Sequence, residues 1–233
     1  MGARRLIITA VTFATVFAGA FLYWRFVWFF RDPRRTPPAE QGILSPADGT
    51  VVYVRKVEPG EEVVVIKQGL RATVRDILRE DADHAKLVIG VFMSPFDVHY
   101  NRAPLTATLG FIRRHPALGE NAHMGAMHWR SVFNRAPHYE GSVHIVQNER
   151  TVTHFIGDYL GAPLPLYVVQ IGARTVNGIE SYYREGERVE RGATFGMIRI
   201  GSQVDLIVPW RPGLAACVQP GDKVRAGETI LIQ

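Results

Sequence analysis

The N-terminal stretch of this sequence is apolar over a length that soluble folds rarely accommodate. Leu6–Tyr23 carries no charged residue, and Trp24–Phe30 extends the run with Arg25 as its only charge. Such a stretch is long enough to cross the hydrocarbon core of a bilayer as a helix. A cleaved signal peptide is the competing interpretation, but the run is long and no clean small-residue cleavage site ends it. The sequence therefore predicts a membrane anchor over residues 1–35 and a separate globular domain over residues 36–233.

Aromatic and basic residues are concentrated around the end of the apolar run. This mixture is typical of the interface between hydrocarbon and water, where aromatic rings and snorkelling arginines accumulate. Basic residues flank both ends of the run, with slightly more after it, and this bias places the following domain on the cytoplasmic side of the cell membrane. The residues of this predicted belt are Trp24, Trp28, Phe29, Phe30, Arg25, Arg31, Arg34 and Arg35.

Length and charge set limits on the rest of the chain. The 233 residues suffice for one globular domain with a sizeable core beside the anchor. The formal net charge of +5 and the pI of about 9.6 favour anionic partners, either phospholipid headgroups or nucleic acid, and composition does not choose between them. The single cysteine, Cys217, excludes an intrachain disulfide and is expected to be a small buried residue.

Short apolar strands separated by turn residues dominate the pattern after the anchor, which predicts an α+β domain that is mostly β. Ile43–Val52 is typical of a strand, a turn and a second strand, with Asp48 at the turn, where an Asp-Gly pair is a common hairpin signal. The spacing of apolar residues in Leu70–Leu78 predicts a short amphipathic helix over the sheet. Further strands are predicted at Val63–Ile66, Lys86–Met93 and Leu166–Ile171.

A dense polar block, residues 94–104, is bracketed by two prolines. Burying such a block is costly unless it serves a purpose. His99 and Asp97 offer a general base and an orienting group, and Asn101 and Arg102 add an amide and an anion clamp. A histidine that is merely hydrogen-bonded within the core is the alternative, and the local pattern does not separate the two.

Residues 113–153 lack clear periodicity and contain scattered methionines, aromatic residues and five histidines. Their spacing matches no zinc-binding pattern, so no metal site is expected. The methionines and aromatics fit either an adaptable lid over a lipid or a flap of the core, and the sequence leaves both open. The histidines are His115, His123, His128, His138 and His144.

A weak internal repeat occupies the C-terminal part of the chain, where Gly186–Gly192 echoes Gly221–Gly227. Each copy resembles the turn-and-strand unit of lipoyl- and biotinyl-type barrel-sandwich domains, in which two such units pack around a pseudo-dyad. The lysine-bearing hairpin of those carriers has no evident counterpart here. The resemblance implies a barrel-sandwich body of the lipoyl-like hybrid type.

Between the two repeats, the strand pattern of Met197–Leu206 is interrupted by a Gly-Ser pair. Because Gly201 lacks Cβ, its carbonyl can be approached closely and its backbone bent, as attack by the next residue's hydroxyl would require. Ser202 is therefore a candidate for cutting its own chain. A glycine bulge in an ordinary strand is the alternative, and the pair taken alone favours that alternative.

Five blocks stand in order along the chain: Ser45–Gly49, Ser94–Pro104, Asn148–Arg150, Gln170–Arg174 and Ile200–Leu206. Together they resemble the phosphatidylserine decarboxylase family in its short, membrane-anchored form, over nearly all of residues 29–233. The resemblance implies a proenzyme that cleaves itself between Gly201 and Ser202. The products would be a large chain, 1–201, and a small chain, 202–233, that carries a covalent pyruvoyl group derived from Ser202 as its cofactor.

The resemblance also implies how the cleavage proceeds. Ser202 Oγ attacks the Gly201 carbonyl to give an ester, and loss of the α-proton then eliminates the acyl group to leave dehydroalanine. Hydrolysis of that species gives a ketone and ammonia. Asp48 and His99 take the family's roles of orienter and base.

The implied reaction is decarboxylation of phosphatidylserine to phosphatidylethanolamine at the membrane, with the pyruvoyl ketone as electron sink. Arg102 and Arg174, together with Asn101, are the expected substrate-binding residues, because guanidinium groups bind phosphate and carboxylate. Salt bridging within the fold is the alternative for both arginines. The expected partners are a serine phospholipid and the membrane rather than nucleic acid, the two chains of the precursor stay together, and a homo-oligomer is left open.

Two positions depart from the family pattern. Long bacterial members carry a second histidine, the base of self-cleavage, where this chain has Arg102, and arginine stays protonated in proteins. Either His99 serves both self-cleavage and decarboxylation, or a histidine from the irregular region such as His144 takes part. Long members also have Leu-Gly-Ser-Thr where this chain has Ile-Gly-Ser-Gln, which places Gln203 after the serine.

Three other interpretations remain open at this point. The anchor and the repeats are compatible with a non-catalytic, membrane-anchored barrel-sandwich adaptor. A metallopeptidase on a related scaffold would need metal-ligand spacing that the sequence lacks. A decarboxylase of a different serine-headed lipid would share every motif described above.

Overall fold

The computed structural model describes residues 2–80, 82–174, 178–199 and 201–233. Contacts within the chain divide it into two units, one that ends at Pro33 and one that begins at Arg34. Each unit is described below by itself.

The N-terminal unit is one apolar helical segment. Helix α1, Gly2–Tyr23, continues directly into a π-helical segment, Trp24–Trp28. The 27 residues Gly2–Trp28 have a mean hydropathy of 2.0, and no residue of the two segments is buried. At a rise of about 1.5 Å per residue, a helix of this length exceeds the roughly 30 Å hydrocarbon core of a bilayer. The predicted apolar helix is confirmed, and it is long and apolar enough to cross a membrane.

The second unit is built mostly of short strands. Its helices are α2 Val74–Leu78, α3 Gly125–Val132 and α4 His144–Gln147. Its strands are β1 Ile43–Leu44, β2 Gly49–Val57, β3 Glu62–Lys67, β4 Leu70–Thr73, β5 Lys86–Met93, β6 Tyr100–Arg102, β7 Ala107–His115, β8 Arg150–Tyr159, β9 Ala162–Gly172, β10 Ile179–Ser181, β11 Arg188–Val189, β12 Thr194–Ile198, β13 Ser202–Pro209, β14 Lys223–Val224 and β15 Ile230–Ile232.

An antiparallel sheet of eight strands forms the body of this unit, in the order β11-β7-β8-β9-β13-β5-β2-β14. The strand predicted at Lys86–Met93 is confirmed as β5, and every one of its residues is buried. Its run of branched apolar residues without polar alternation is typical of a strand that is covered on both faces. Strand β13 beside it, and β9 on the other side of β13, are buried in the same way over most of their length.

The two sequence repeats lie at the two edges of this sheet. The first contains β11, which pairs with β7, and the second contains β14, which pairs with β2. The sheet curls so far that the repeats meet: a Cβ added at Gly227 would lie 3.5 Å from Gly192 Cα. The predicted mostly-β barrel-sandwich fold is therefore confirmed as a curled half-barrel whose edges are brought together by the repeats.

The two faces of the sheet carry separate cores. One face packs on the paired strands β1–β15 and on the three-stranded sheet β10-β12-β6. The other face is covered by β3, β4 and helices α2, α3 and α4. Because side chains alternate along a strand, Val204 of β13 belongs to the first core and Ile207 to the second.

Several local predictions are wrong. Helix α2 begins only at Val74, because Thr73 and Asp76 form a capping box there, so Leu70 lies in a strand. The strands around Asp48 are present but do not form a hairpin, since β1 pairs with β15 and β2 pairs with β5. Cys217 is exposed rather than buried, because it lies in a surface segment outside the named strands.

A buried polar cluster lies within the second core. His144 Nε2 is 3.0 Å from Gln203 Oε1, and Gln203 Nε2 donates to Tyr53 Oη and to Asp205 Oδ1, each at 2.7 Å. Since the Gln203 oxygen can only accept, His144 Nε2 carries the proton of a neutral ring. Burial lowers the pKa of His144 to about 4, and burial raises the pKa of Asp205 to about 6.

This cluster predicts an acid-sensitive contribution to stability. The unfolded state binds a proton at His144 below its ordinary pKa of 6.5, whereas the folded state keeps the ring neutral down to about 4. The contribution of His144 to the free energy of unfolding should therefore fall as pH falls through this window, by about 2 kcal/mol near pH 5. His144→Gln should remove that loss, as measured by denaturant titration of the full chain in mild detergent.

The comparison between variants isolates the histidine. Asp205 has a raised pKa in the folded state, so it stabilises the fold as pH falls and opposes the effect of His144 in the wild-type curve. Exposed His123→Gln should leave the pH dependence unchanged. Equal pH dependence in wild type and His144→Gln would contradict the prediction.

Candidate active site

The chain turns a corner at the Gly-Ser pair. β12 ends at Ile198 in the three-stranded sheet, and β13 begins at Ser202 in the eight-stranded sheet. Gly201 has a φ of +65°, in the left-handed region that glycine occupies without a steric penalty. The pattern Met197–Leu206 is thus two strands in different sheets rather than one strand with a bulge. Ile200, part of the predicted motif, lies outside the described residues.

Ser202 holds the first position of a central strand. It stands opposite Met93 of β5 on one side and Gly172 of β9 on the other, and it is fully buried. Its Oγ lies 3.3 Å from Met93 Sδ. By strand alternation it faces the first core with Val204, whereas Gln203 faces the second. The hydroxyl is therefore held in a water-poor position at one end of the sheet.

Three of the five blocks converge beside this serine. Asn101 Nδ2 donates to the Pro46 carbonyl at 3.3 Å and lies 3.8 Å from Met93 Sδ. Gln170 Nε2 donates to Asn101 Oδ1 at 2.7 Å. Because Met93 contacts both Asn101 and Ser202, the amides of two further blocks reach the surroundings of the serine. All of these side chains are buried, so their hydrogen bonds fix their orientation.

His99 lies beside the strand that leads to the Gly-Ser pair. Its carbonyl accepts a hydrogen bond from Ile198 N at 3.2 Å, next to the β6–β12 pairing. Its Nδ1 lies 2.9 Å from the Asp97 carbonyl oxygen. Since a carbonyl only accepts, Nδ1 carries a proton, and Nε2 is the nitrogen that holds the lone pair whenever the ring is neutral. A buried imidazole in this tautomer has the protonation state that a general base requires.

The Asp48 carboxylate binds partners far along the chain. Its Oδ2 lies 2.7 Å from Arg35 Nη2, and its Oδ1 accepts from Ala226 N at 2.7 Å. Burial raises the pKa of Asp48, while the Ala226 N–H and Arg35 oppose that shift. Asp48 therefore ties the first turn to the second repeat. His99 Nδ1 donates its hydrogen bond to a backbone carbonyl and not to this carboxylate.

Arg35 lies in this site and not in the predicted membrane belt, so its assignment to the belt is wrong. Its side chain is 8% exposed and bridges Asp48 and Glu228, the latter at 2.8 Å. Two carboxylates of the second unit bind the two terminal nitrogens of the guanidinium and offset the cost of burying its charge.

The block at Asn148 secures the same end of the sheet. Asn148 Nδ2 donates to the Gly172 carbonyl at 2.7 Å, and Gly172 is the register partner of Ser202. Asn148 also exchanges hydrogen bonds with the backbone of Ala122, at 2.7 and 2.9 Å. Arg150 is buried and donates to backbone carbonyls of α2 and α4, and burial lowers its pKa to about 10.

The two arginines expected to bind substrate occupy different environments. Arg102 is buried, and its Nη1 donates to the Gly192 carbonyl at 3.0 Å, where the two repeats meet. Arg174 has a side chain that is 57% exposed, and its guanidinium lies 3.9 Å from the exposed Glu120. Arg102 is therefore part of the fold's closure, while Arg174 lies at the surface beside Glu120.

The histidines of the irregular region are dispersed. His144 is fully buried, but through Gln203 it lies on the opposite face of β13 from Ser202. Among residues 2–80, 82–174, 178–199 and 201–233, no three His, Cys, Asp or Glu side chains come together as a metal site would require. Of the two fully buried histidines considered as bases, only His99 lies next to the strand that leads to Gly201.

Sequence reasoning missed three residues of this arrangement. Arg35 was assigned elsewhere because its neighbours are membrane-interface residues, and an ion pair across 13 positions leaves no local pattern. Met93 was assigned only as the last apolar residue of a strand. Gln170 lies within the block Gln170–Arg174. A polar residue inside a buried strand is the sequence signal that identifies it.

Comparison with known proteins agrees with these features. A family model described as phosphatidylserine decarboxylase matches residues 22–232. A phosphatidylserine decarboxylase proenzyme of Chlorobium limicola is 29% identical over 231 residues, which cover 99% of this chain and 89% of the relative. Another of Pelobacter propionicus is 33% identical over 206 residues, covering 88% and 74%. A protein of Methanopyrus kandleri, provisionally named archaetidylserine decarboxylase proenzyme, is 34% identical over 209 residues, covering 88% and 80%.

The match includes both the domain that carries the site and the end of the apolar helix. All of the blocks on which the resemblance rests lie within it. The chain belongs to the phosphatidylserine decarboxylase family of enzymes.

Proposed function

We propose that this chain is a proenzyme that cleaves its own Gly201–Ser202 bond and then decarboxylates a serine phospholipid at the membrane. The observation that carries the proposal is the position of Ser202. It is buried at a corner between two sheets, with Met93 linking it to Asn101. A glycine bulge without function would not require polar side chains from distant blocks to be buried around it.

The surroundings of Ser202 fit a pyruvoyl group made from that serine. The position is fully buried between Met93 and Gly172, so a reactive ketone would be protected from water there. Asn101, oriented by Gln170, would hold the group from the side. A pyruvoyl ketone supplies an electron sink for the electron pair that remains when a carboxylate leaves as carbon dioxide.

Self-cleavage needs only groups of this chain and one water molecule. His99 Nε2 takes the Ser202 hydroxyl proton as Oγ bonds to the Gly201 carbonyl carbon. The Gly201–Ser202 C–N bond then breaks, and the proton passes to the freed amine, which gives an ester. Removal of the Ser202 α-proton expels the Gly201 carboxylate and leaves dehydroalanine. Water replaces the nitrogen of that species, which releases ammonia and leaves the ketone.

Asp48 acts on this step through charge. When His99 takes a proton it becomes a cation in a buried site, and the charge of the Asp48 carboxylate would stabilise that cation. Arg35 and the Ala226 N–H hold the carboxylate in place. We therefore assign His99 the role of base and Asp48 that of the group that stabilises its positive charge.

Self-cleavage of the purified chain is the first test. Intact-mass measurement of wild type should find a fragment ending at Gly201 and one of 32 residues, 233 minus 201, with the mass of a pyruvoyl N-terminus. The fragments should co-purify, because Ser202–Pro209 stays paired with both neighbouring strands. Ser202→Ala should remain one chain. An uncut wild type after long incubation would refute the assignment.

The activating pair can be tested with matched variants. His99→Ala should abolish self-cleavage, whereas His144→Ala, which removes an equally buried histidine from the opposite face, should still be cut. Asp48→Asn should slow cleavage strongly through loss of charge stabilisation. Glu228→Gln removes the other carboxylate partner of Arg35 and should cleave close to the wild-type rate.

The outcomes separate catalysis from folding. If Asp48→Asn and Glu228→Gln are slowed equally, Asp48 serves only to neutralise Arg35. Normal cleavage of His99→Ala would move the base to another residue. Gel electrophoresis over time after refolding or synthesis gives the rates.

The membrane location is inferred from the first unit and the lipid substrate from the second. The helix of the first unit would anchor the chain in the cell membrane, and the arginines after it favour a cytoplasmic site. Exposed Arg174 is the best-placed group for the anionic phosphoserine headgroup. Arg102 and Asn101 would contribute to binding of the headgroup from buried positions, where each also donates a hydrogen bond to a backbone carbonyl of the fold.

The decarboxylation is tested with lipid in mixed micelles. Processed protein given phosphatidylserine should release carbon dioxide and form phosphatidylethanolamine without added pyridoxal phosphate or metal. Hydroxylamine, which consumes ketones, should abolish turnover without unfolding the protein, and cyanoborohydride with substrate should couple the lipid amine to the small fragment. A pyruvoyl-bearing fragment that leaves phosphatidylserine unchanged would retain the chemistry and exclude this substrate. Serine-headed ether lipids such as archaetidylserine would then be tested.

A further inference from the structure

Helix α3 carries a group of large apolar side chains that point away from the protein. We call Trp129, Val132 and Phe133 the aromatic ridge; they are 59%, 55% and 60% exposed. The rings of Trp129 and Phe133 are stacked, with centroids 5.9 Å apart and planes 18° from parallel. Single exposed apolar residues are common, but adjacent ones of this size on one helix face mark an interaction site.

The side chains of the aromatic ridge are not needed to pack α3 against the core. The opposite side of α3 is already packed: Met127 is fully buried in the second core, and Met124 just before the helix is buried beside it. The ring of His128 packs edge-on against Phe92 of β5, with centroids 6.2 Å apart. Folding therefore requires only one apolar face of α3, and the second face has no structural need for Trp and Phe.

The ridge lies at the same end of the sheet as the candidate site but on the opposite face, because α3 packs on the second core and Ser202 faces the first. Phe92, which anchors the helix through His128, directly precedes Met93, the register partner of Ser202. The segment that leads into α3 is fastened at Ala122 to Asn148, which in turn binds Gly172. Phe96, in the turn between Met93 and His99, is also 65% exposed. Exposed apolar groups therefore lie at the end of the sheet at which Ser202 stands.

Basic groups accompany the apolar ones. The Arg135 guanidinium lies over the ring of Phe133, 5.5 Å from its centroid, and Arg135 is exposed. Exposed Arg174 is fastened to the same segment, because its backbone N–H donates to the Ala122 carbonyl at 3.2 Å. Arginine beside aromatic rings suits a boundary at which apolar chains meet anionic headgroups, since the stem is buried while the charge stays in the headgroup layer.

We propose that the aromatic ridge inserts into the headgroup region of a bilayer that contains anionic phospholipid. It would give the second unit a membrane contact of its own, at the end of the sheet that holds Ser202 and independent of the N-terminal helix. The inference builds on the proposed function in one respect, because a contact at that end of the sheet would bring the bilayer, the source of the lipid, toward Ser202. A second copy of this chain is the other partner that could cover the ridge, and the experiment distinguishes the bilayer from that second copy.

The test uses the full chain in lipid nanodiscs, with Cys217→Ser to remove the native thiol. Phe133→Cys is labelled with an environment-sensitive fluorophore, and the discs contain lipids that carry a nitroxide quencher just below the headgroup. Phosphatidylglycerol serves as the anionic lipid, so the measured fluorescence does not depend on turnover of a substrate lipid. The label at 133 should show a blue-shifted emission and quenching several-fold greater than that of the control. Quenching should decrease in discs of phosphatidylcholine alone and with Arg135→Glu.

The matched control is Leu160→Cys, because Leu160 is equally exposed, at 68%. It lies in the turn between β8 and β9, at the far end of β9 from Gly172. A strand of that length spans roughly 30 Å, which places the control label far from the proposed contact. Labels at 133 and 160 that are equally accessible to water in both lipid mixtures would overturn the proposal.

Two further measurements complete the test. A disulfide between two copies through Phe133→Cys, without lipid quenching, would assign the ridge to a second copy and overturn the proposal. The fluorescence measured with Ser202→Ala should equal that of the cleavable chain. A protein that binds the bilayer at 133 but lacks decarboxylase activity would retain this inference and refute the proposed function.

Discussion

The fold depends on the meeting of the two sheet edges, where Gly192 and Gly227 approach each other. A Cβ on Gly227 would lie 2.9 Å from Arg102 Cδ and 3.5 Å from the Gly192 carbonyl oxygen, and Gly227 has a φ of +73°, so only glycine suits this contact. Arg102 donates to that same carbonyl across the junction. The site residues inherit their positions from this closure. Asp48 reaches Ala226 in the second repeat, and Arg35 fastens Asp48 to Glu228 just beyond it. Without closure, the first turn would have no partner and the buried carboxylate no compensation.

The eight-stranded sheet also separates two sets of buried polar groups that would otherwise compete. Ser202 and Gln203 are adjacent in sequence, yet strand alternation sends one toward Asn101 and Met93 and the other toward His144. Within each set, side-chain amides link the buried polar groups: Gln170 binds Asn101 in the first set, and Gln203 binds Tyr53, Asp205 and His144 in the second. The separation gives two fully buried histidines different chemistry. His144 is held neutral as a donor to an amide, while His99 presents an Nε2 lone pair beside the strand that leads to the Gly-Ser pair.

Features that repeat along the chain could be predicted from the sequence, and features made by single long-range contacts could not. The apolar helix, strands such as Lys86–Met93, and the duplicated turn all leave a periodic or repeated signal, and the structure has them. The motif blocks pointed to Asn101, His99 and Ser202, which do gather at one end of the sheet. The sequence does not show that Met197–Leu206 crosses from one sheet to another, because apolar and polar residues alternate in the same way along one strand as along two successive strands. The ion pair of Arg35, the exposure of Cys217 and the link from Gln203 to His144 each depend on which surfaces the closed barrel brings together.

The arginine at position 102 connects this closure to the proposed chemistry. Long members of the family carry at that position a histidine that serves as a base, and this chain uses it instead for the hydrogen bond to Gly192 that joins the repeats. A group that stays protonated suits that task, since it donates to a carbonyl at every relevant pH. Under the proposed mechanism His99 is then the base of the block, and it directly precedes β6, which pairs with β12. The strand that carries Arg102 to the closure would therefore also align the proposed base with the bond to be cut. Under the proposed mechanism, an unclosed chain would lack this alignment, so cleavage would follow folding and the reactive ketone would form only inside a finished, water-poor site.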